Sequence, residues 1–114
     1  MARITVYLSG SIAAYKGVEV VRGLQKAGHT VRVVMTTAAT RLVGPATLNA
    51  LTKYPVLTNL WDKQDQPIPH IELADWTELA LVVPASADLL AKMANGLADD
   101  AASTTLLATA ALAE

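Results

Sequence analysis

The chain has 114 residues, of which 53% are hydrophobic, and this is enough material for the core of one small domain. Its formal net charge of -1 gives no electrostatic reason to expect binding to nucleic acid or to an anionic membrane. The absence of cysteine excludes disulfides, thiolate metal ligands and cysteine nucleophiles within this sequence. No apolar run reaches the roughly 18 residues of a membrane span, and no signal-peptide pattern opens the chain, so we expect a cytoplasmic protein.

The opening of the chain predicts a strand, a tight loop and a helix. Residues 4–8 alternate between apolar and less apolar side chains, as in a buried strand, and residues 9–11 (SGS) interrupt that pattern. Helical spacing of apolar residues begins at Ala14, and Gly28 is placed to end the helix. Such a loop presents backbone N–H groups and a positive helix end to an anion. It lacks the glycines of a dinucleotide fingerprint and the GK[ST] of a P-loop, so spacing alone leaves a phosphate site and a simple tight turn equally open.

A second strand is predicted over residues 30–35 (TVRVVM), which are rich in β-branched side chains. Strand, helix and strand at this spacing form a βαβ unit, which predicts a parallel sheet with a right-handed crossover. Thr36 and Thr37 follow at the carboxyl end of this strand, where open α/β sheets bind ligands. Their hydroxyls can bind a ligand or cap the next helix, and capping is the commoner use.

The remainder of the sequence continues the alternation of elements. The pattern predicts, in order, a helix over residues 45–53, a short strand over 54–57, a loop over 60–69, a short amphipathic turn over 70–76, a strand buried on both faces over 79–83 and a helix over 88–95 that ends at Gly96. We therefore expect a three-layer open sheet of four parallel strands, of the flavodoxin-like or Rossmann-like class. The alanine-rich residues 97–114 are helix-compatible and too apolar to remain exposed, which predicts either an oligomer or a piece of a longer domain.

Three polar residues in the second half of the chain are open to two interpretations. Ser86 can cap the last predicted helix or bind a ligand. Asp88, in the first turn of that helix, suits the helix dipole but repels phosphate, so a ligand's hydroxyl-rich part is expected beside it. His70 can be structural or catalytic, and for a lone histidine the structural role is the commoner; without a second histidine or a partner carboxylate at ligand spacing, no metal site is predicted.

Four segments occur in order at compatible spacing: residues 10–16 (GSIAAYK), 31–43 (VRVVMTTAATRLV), 70–76 (HIELADW) and 84–100 (PASADLLAKMANGLADD). Together they resemble the flavin-containing cysteine decarboxylase family, most closely its members that act in coenzyme A synthesis. The resemblance covers nearly the whole chain. It implies a flavodoxin-like domain that binds FMN non-covalently and assembles as a homo-oligomer, a trimer or a multiple of trimers, with FMN near the subunit interface.

The resemblance also implies roles for individual residues. By position, it assigns FMN contacts to Gly10, Ser11, Ile12, Thr36, Thr37, Ser86, Ala87, Asp88 and Leu89. Asp88 replaces the asparagine that is commoner in the family. His70 falls on the family's active-site histidine, where it would steer the substrate carboxylate or assist proton transfer.

The implied reaction converts 4′-phospho-N-pantothenoylcysteine to 4′-phosphopantetheine. FMN oxidises the cysteine thiol to a thioaldehyde, the adjacent carboxylate leaves, and the reduced flavin reduces the resulting enethiol.

The family continues with a PxMNxxMW segment that binds substrate and a lid that contains cysteine, and this sequence has neither. The chain is therefore expected to be the N-terminal part of a decarboxylase domain, or a flavin-binding protein without turnover, such as a regulatory flavoprotein. A flavin prenyltransferase is a third interpretation, which the SIAAYK loop fits less well than an SGASG loop would.

Overall fold

A single parallel sheet organises the fold, and its strand order is β2-β1-β3. The computed structural model describes residues 2–10, 14–58, 69–83, 86–98 and 102–106. Its strands are β1 (Arg3–Leu8), β2 (Thr30–Met35) and β3 (Leu79–Val82). The central strand β1 pairs with both neighbours, with Ile4 opposite Val31 on one side and opposite Leu79 on the other. The predicted parallel sheet and its βαβ unit are confirmed.

In the part of the chain that the structure describes, the named helices beside the sheet are α1 (Ala14–Lys26), α2 (Thr37–Thr40), α3 (Pro45–Thr52), α4 (Pro69–Trp76) and α5 (Ala87–Asn95). Residues 102–106 are also helical. None of the helices in the described part of the chain is long and apolar enough to cross a membrane.

The two faces of the sheet carry separate hydrophobic cores, because successive residues of a strand point to opposite faces. On the first face, alternate residues of β1 and β2 pack with Val21 of α1 and Leu48 of α3. On the second face, Tyr7 and Val34 pack with Leu73 of α4, Leu89 of α5 and Ala102. Helices on both faces of one sheet give the predicted three-layer architecture.

Local sequence signals account for the helix boundaries. Gly28, two residues beyond α1, has φ +93°, and Gly96 caps α5 with φ +66°, a backbone conformation that glycine adopts without steric cost. Pro45 is the first residue of α3, where its missing N–H is not needed. The helix is terminated by Lys53, which has φ 62° and is the non-glycine residue with positive φ in the described part of the chain.

The predicted strand over residues 54–57 is wrong. Only one parallel bridge forms, between Val34 and Leu57, with backbone hydrogen bonds of 2.9 Å from Met35 N–H to Leu57 C=O and 3.1 Å from Leu57 N–H to Val33 C=O. Pro55 has no N–H to donate, so the segment joins the edge of β2 at a single position. The described sheet therefore has three strands and a bridge instead of four strands.

Two further expectations need correction. The strand predicted over 79–83 is only partly buried, with Leu79 52% exposed, because β3 is an edge strand of the described sheet. The predicted amphipathic turn is an eight-residue helix, α4, which begins at Pro69. The rest of the loop predicted over 60–69 lies outside the described residues, as does most of 97–114.

Two glycines of α1 offer a matched test of the packing against the sheet. A Cβ on Gly17 would overlap Cδ2 of the buried Leu8 and lie 3.0 Å from the carbonyl oxygen of Val83, whereas a Cβ on Gly23 would meet nothing within 4 Å. Gly23→Ala is expected to raise the free energy of unfolding by about 0.5–1 kcal/mol. Gly17→Ala is expected to lower it by about 1 kcal/mol, since overpacking costs more than the gain in helix propensity. Urea denaturation of both variants checks this, and equal stabilisation would contradict the close packing.

Candidate functional site

The loops that follow the three parallel strands meet at one edge of the sheet, because parallel strands end on the same side. Backbone and side-chain hydrogen bonds connect them. Thr36 N–H donates to Leu8 C=O at 2.9 Å, which ties the end of β2 to the end of β1. Ser86 N–H donates to Ser9 Oγ at 2.7 Å, which ties the start of α5 to the loop after β1. The three strand ends thus form one connected surface.

Gly10 brings the first loop directly onto α2. A Cβ built on Gly10 would overlap the Cβ of Ala38 and lie 3.3 Å from two backbone atoms of Ala38. A side chain at position 10 therefore forces the loop away from α2. Only glycine fits at position 10 without a shift of the loop or of α2. This steric limit explains why a glycine follows the apolar residues of β1.

Thr36 and Thr37 differ in what their side chains do. Thr36 is buried and caps α2, because its Oγ1 accepts a hydrogen bond from Ala39 N–H at 3.1 Å. The capping interpretation is thus confirmed for Thr36, whose hydroxyl keeps its own proton as a donor. Thr37 is exposed beside it.

Ser86 likewise caps a helix, with Oγ accepting from Leu89 N–H at 3.1 Å. Ala87 is exposed at the start of α5. Leu89 is only 1% exposed and packs with Tyr7 in the core of the second face. The Leu89 side chain packs α5 against the sheet, and the Leu89 N–H already donates a hydrogen bond to Ser86 Oγ.

The donor set of this edge fits an anionic, polar ligand. The hydroxyls of Thr36, Thr37 and Ser86 can all donate, and the two caps occupy only acceptor positions of their oxygens. A glycine with no room for a side chain permits close backbone approach. Ser11 and Ile12 lie outside the described residues, as do the side chains of Asp88 and His70.

The backbone of α4 nevertheless places position 70. The carboxyl end of α4 lies where β1 begins, because Arg3 Nε donates to Trp76 C=O at 2.6 Å and Thr77 Oγ1 hydrogen-bonds Thr5 Oγ1 at 2.5 Å. His70 is six residues before Trp76, about 9 Å along the helix axis. His70 therefore lies near the amino end of α4, at the opposite end of the helix from the starts of the strands.

Two residues that were not predicted as site residues, Ser9 and Arg32, have defined structural roles here. Ser9 is fully buried, and its hydroxyl links the loop after β1 to the start of α5. This contact could have been expected from the sequence, because loops of small residues follow β1 and β3, which are neighbours in the sheet. Arg32 is buried in β2 on the second face, 8% exposed, although charged residues are seldom buried. The sequence signal for this burial was an arginine flanked by valines within a strand.

Arg32 is held by aromatic rings. Its Cζ lies 5.3 Å from the centroid of the Tyr54 ring and 5.4 Å from that of Trp76. Burial lowers the pKa of the guanidinium, and the Glu72 carboxylate and Tyr54 act in the opposite direction. An arginine retains its charge at neutral pH under such a shift.

The sequence profile of the Flavoprotein family matches residues 1–113. The chain belongs to the Flavoprotein family. It is 46% identical over 96% of its length to the coenzyme A biosynthesis bifunctional protein CoaBC of Escherichia coli strain K12, of which it covers 27%. It is 48% identical over 92% of its length to CoaBC of Mycobacterium tuberculosis strain H37Rv, of which it covers 25%. The chain thus spans about a quarter of the length of these curated relatives.

Solved structures of the same fold include cysteine decarboxylases. The FMN-dependent cysteine decarboxylase SpaF matches with a TM-score of 0.84 and 33% identity, covering 100% of this chain and 64% of that one. A C175S mutant of PPC decarboxylase complexed with pantothenoylaminoethenethiol matches with a TM-score of 0.72 and 28% identity, covering 96% of this chain and 60% of that one. The predicted fold class and the predicted family are both confirmed.

Proposed function

We propose that this chain forms the FMN-binding part of a decarboxylase that converts 4′-phospho-N-pantothenoylcysteine to 4′-phosphopantetheine and carbon dioxide. The observation that carries the proposal is the connected edge formed by the three strand ends, tied by the Ser86–Ser9 hydrogen bond in a member of the Flavoprotein family. The FMN-dependent cysteine decarboxylases of the same fold and the CoaBC relatives support the choice of cofactor and substrate.

The proposed cofactor contacts divide between two groups of residues. Gly10, Ser11, Ile12, Thr36 and Thr37 would hold the phosphate side of FMN, and Ser86, Ala87 and Asp88 its hydroxyl-rich part, with Leu89 holding α5 in place. This division follows charge, since hydroxyl and backbone donors suit a phosphate, whereas the carboxylate of Asp88 repels one. When bound, FMN supplies the two-electron redox chemistry of the reaction.

His70 would act on the substrate. As a residue whose ordinary pKa lies near neutrality, it can hold the substrate carboxylate in its protonated form and move a proton in its neutral form. The position of α4 supports this role, since its carboxyl end lies at the start of β1 and His70 is at its other end.

We also propose that residues 1–114 belong to a single flavoprotein domain, that the protein is cytoplasmic and that it assembles as a trimer or a multiple of trimers. Exposed apolar side chains on and after α5 support assembly, with Leu90, Met93 and Leu97 between 44% and 54% exposed. Contacts between copies would bury these side chains.

The proposal predicts that the apoprotein discriminates FMN from riboflavin. Charge-assisted hydrogen bonds to the phosphate contribute about 1.5–3 kcal/mol, so the affinity for FMN is expected to exceed that for riboflavin by roughly ten- to a hundredfold. Fluorescence titration with both flavins measures this, with Lys26→Met at the far end of α1 as a control that leaves both affinities unchanged. Equal affinities would contradict the phosphate assignment.

The activity itself is tested by carbon dioxide release from 4′-phospho-N-pantothenoylcysteine, measured on the full natural protein at known flavin occupancy. Release that depends on FMN is the expected result. A flavin-saturated protein that releases none would favour a non-catalytic flavoprotein.

A further inference from the structure

The buried cation of β2 contacts aromatic side chains from two other segments of the chain. Arg32 lies opposite Thr5 in the sheet, and its guanidinium contacts the rings of Tyr54 and Trp76. These rings also contact each other, with centroids 6.1 Å apart and planes tilted by 54°. Within the described ranges, no acceptor pairs with Arg32 Nε and no carboxylate oxygen lies within 4.0 Å of the guanidinium. The rings of Tyr54 and Trp76 therefore provide cation–π contacts to the guanidinium.

On one side, the guanidinium holds a single face of α4. Glu72 and Trp76 are four residues apart, which places them on the same face one turn from each other. Trp76 contacts Arg32 directly, and Glu72 interacts with it through charge. The buried side chains of Leu73 and Ala74 complete the contact of this helix with the core.

On the other side, Tyr54 is fixed to the end of α3. Its N–H donates to Thr52 Oγ1 at 3.3 Å, and this hydroxyl in turn donates to Leu48 C=O at 2.9 Å. Two residues later, Val56 N–H donates to Asn49 Oδ1 at 2.7 Å. Arg32 thus contacts one ring anchored to α3 and another that belongs to α4.

We propose that Arg32, Tyr54 and Trp76 form a positioning cluster for His70. A helix moves as a rigid unit over short lengths, so the cluster that holds Trp76 against β2 also determines where residue 70 lies, about 9 Å further along α4. Because this inference rests on the proposed function, in which His70 acts on the substrate, its test includes a measurement that does not depend on turnover.

The activity arm of the test uses the full natural protein at matched FMN occupancy. Arg32→Met removes the charge and keeps the length, and it is expected to lower kcat by roughly ten- to a hundredfold, the range that a small misplacement of a catalytic group produces. Arg32→Lys keeps the charge without the planar group, and its kcat is expected to lie between that of the parent and that of Arg32→Met. The control Arg22→Met, on an exposed position of α1, is expected to leave kcat unchanged.

A double-variant cycle separates positioning from general damage. If Arg32 acts through His70, Arg32→Met causes no further loss of kcat in a His70→Asn background, since residues that act as a unit are not additive. The same fold-loss in both backgrounds would overturn the inference. If the His70→Asn variant alone keeps the kcat of the parent, His70 has no catalytic role and the inference is overturned.

The structural arm measures hydrogen exchange of the α4 amides by mass spectrometry, with and without FMN. Arg32→Met is expected to speed exchange over residues 71–76 and to leave α1 and α5 unchanged. Unchanged exchange in α4 would overturn the inference, whatever the activity. If Arg32→Met does not fold, Trp76→Phe serves for the same measurements. A parent protein without decarboxylation would contradict the proposed function, whereas exchange in α4 would still report whether the cluster holds the helix.

Discussion

Replacement of His70 by asparagine is expected to lower decarboxylation by about 10²–10⁴-fold, the range typical of a positioned acid–base group. The fold and the affinity for FMN should remain nearly unchanged, because the proposed cofactor contacts lie in the loops after the strands and in the first turns of α2 and α5, not on α4. Asparagine preserves much of the shape and some hydrogen bonding but does not titrate near neutrality. The measurement is carbon dioxide release per bound flavin in the full natural protein.

A matched control for His70→Asn lies on the same helix. Asp75→Asn changes an exposed position of α4 and is expected to have little effect on turnover. Thermal unfolding checks that both variants have a melting temperature close to that of the parent. Comparable turnover by His70→Asn and the parent, at equal flavin occupancy, would show that the histidine is structural.

Gly10→Val is expected to produce the second largest effect, a loss of FMN affinity of about tenfold or more. A Cβ at this position overlaps the Cβ of Ala38, and the branched side chain of valine adds further atoms to a space that is already full. Overpacking of this kind costs about 1–3 kcal/mol, and each 1.4 kcal/mol that reaches the bound state changes affinity about tenfold. Fluorescence titration with FMN measures the loss.

The contact partner of Gly10 provides a sharper version of this test. Gly10→Ala alone should already weaken FMN binding, and Ala38→Gly in the same chain should restore part of it by removing the overlapping methyl group. Gly44→Ala is the control, since a Cβ at that position meets nothing within 4 Å. Normal FMN binding by Gly10→Ala would contradict the close approach of the loop to α2.

The features that the sequence predicted correctly depend on local patterns. The alternation of residues 4–8 and the β-branched run of 30–35 predict strands because side-chain direction repeats every two residues. Gly96 and Pro45 mark helix ends because their backbone preferences act at their own positions. Such signals need no knowledge of the tertiary structure.

The features that the sequence did not predict depend on contacts between distant residues. The segment 54–57 looks like a strand, but only its register against β2 decides that Leu57 alone pairs. The burial of β3 depends on its place at the edge of the described sheet. Arg32 meets Tyr54 and Trp76 across 22 and 44 residues, and no local pattern encodes that meeting.

Because β1 is the central strand, it pairs with one strand that is translated early and with another that is translated late. Ile4 pairs with Val31 across 27 residues and with Leu79 across 75. Closing the longer loop costs about 1 kcal/mol more chain entropy, since the cost grows with the logarithm of loop length. During synthesis, β1 and β2 are complete and able to pair long before β3 leaves the ribosome. Two sides of the proposed cofactor site therefore exist in the nascent chain first, and the Ser86–Ser9 hydrogen bond becomes possible only after residue 86, which follows β3, has been translated.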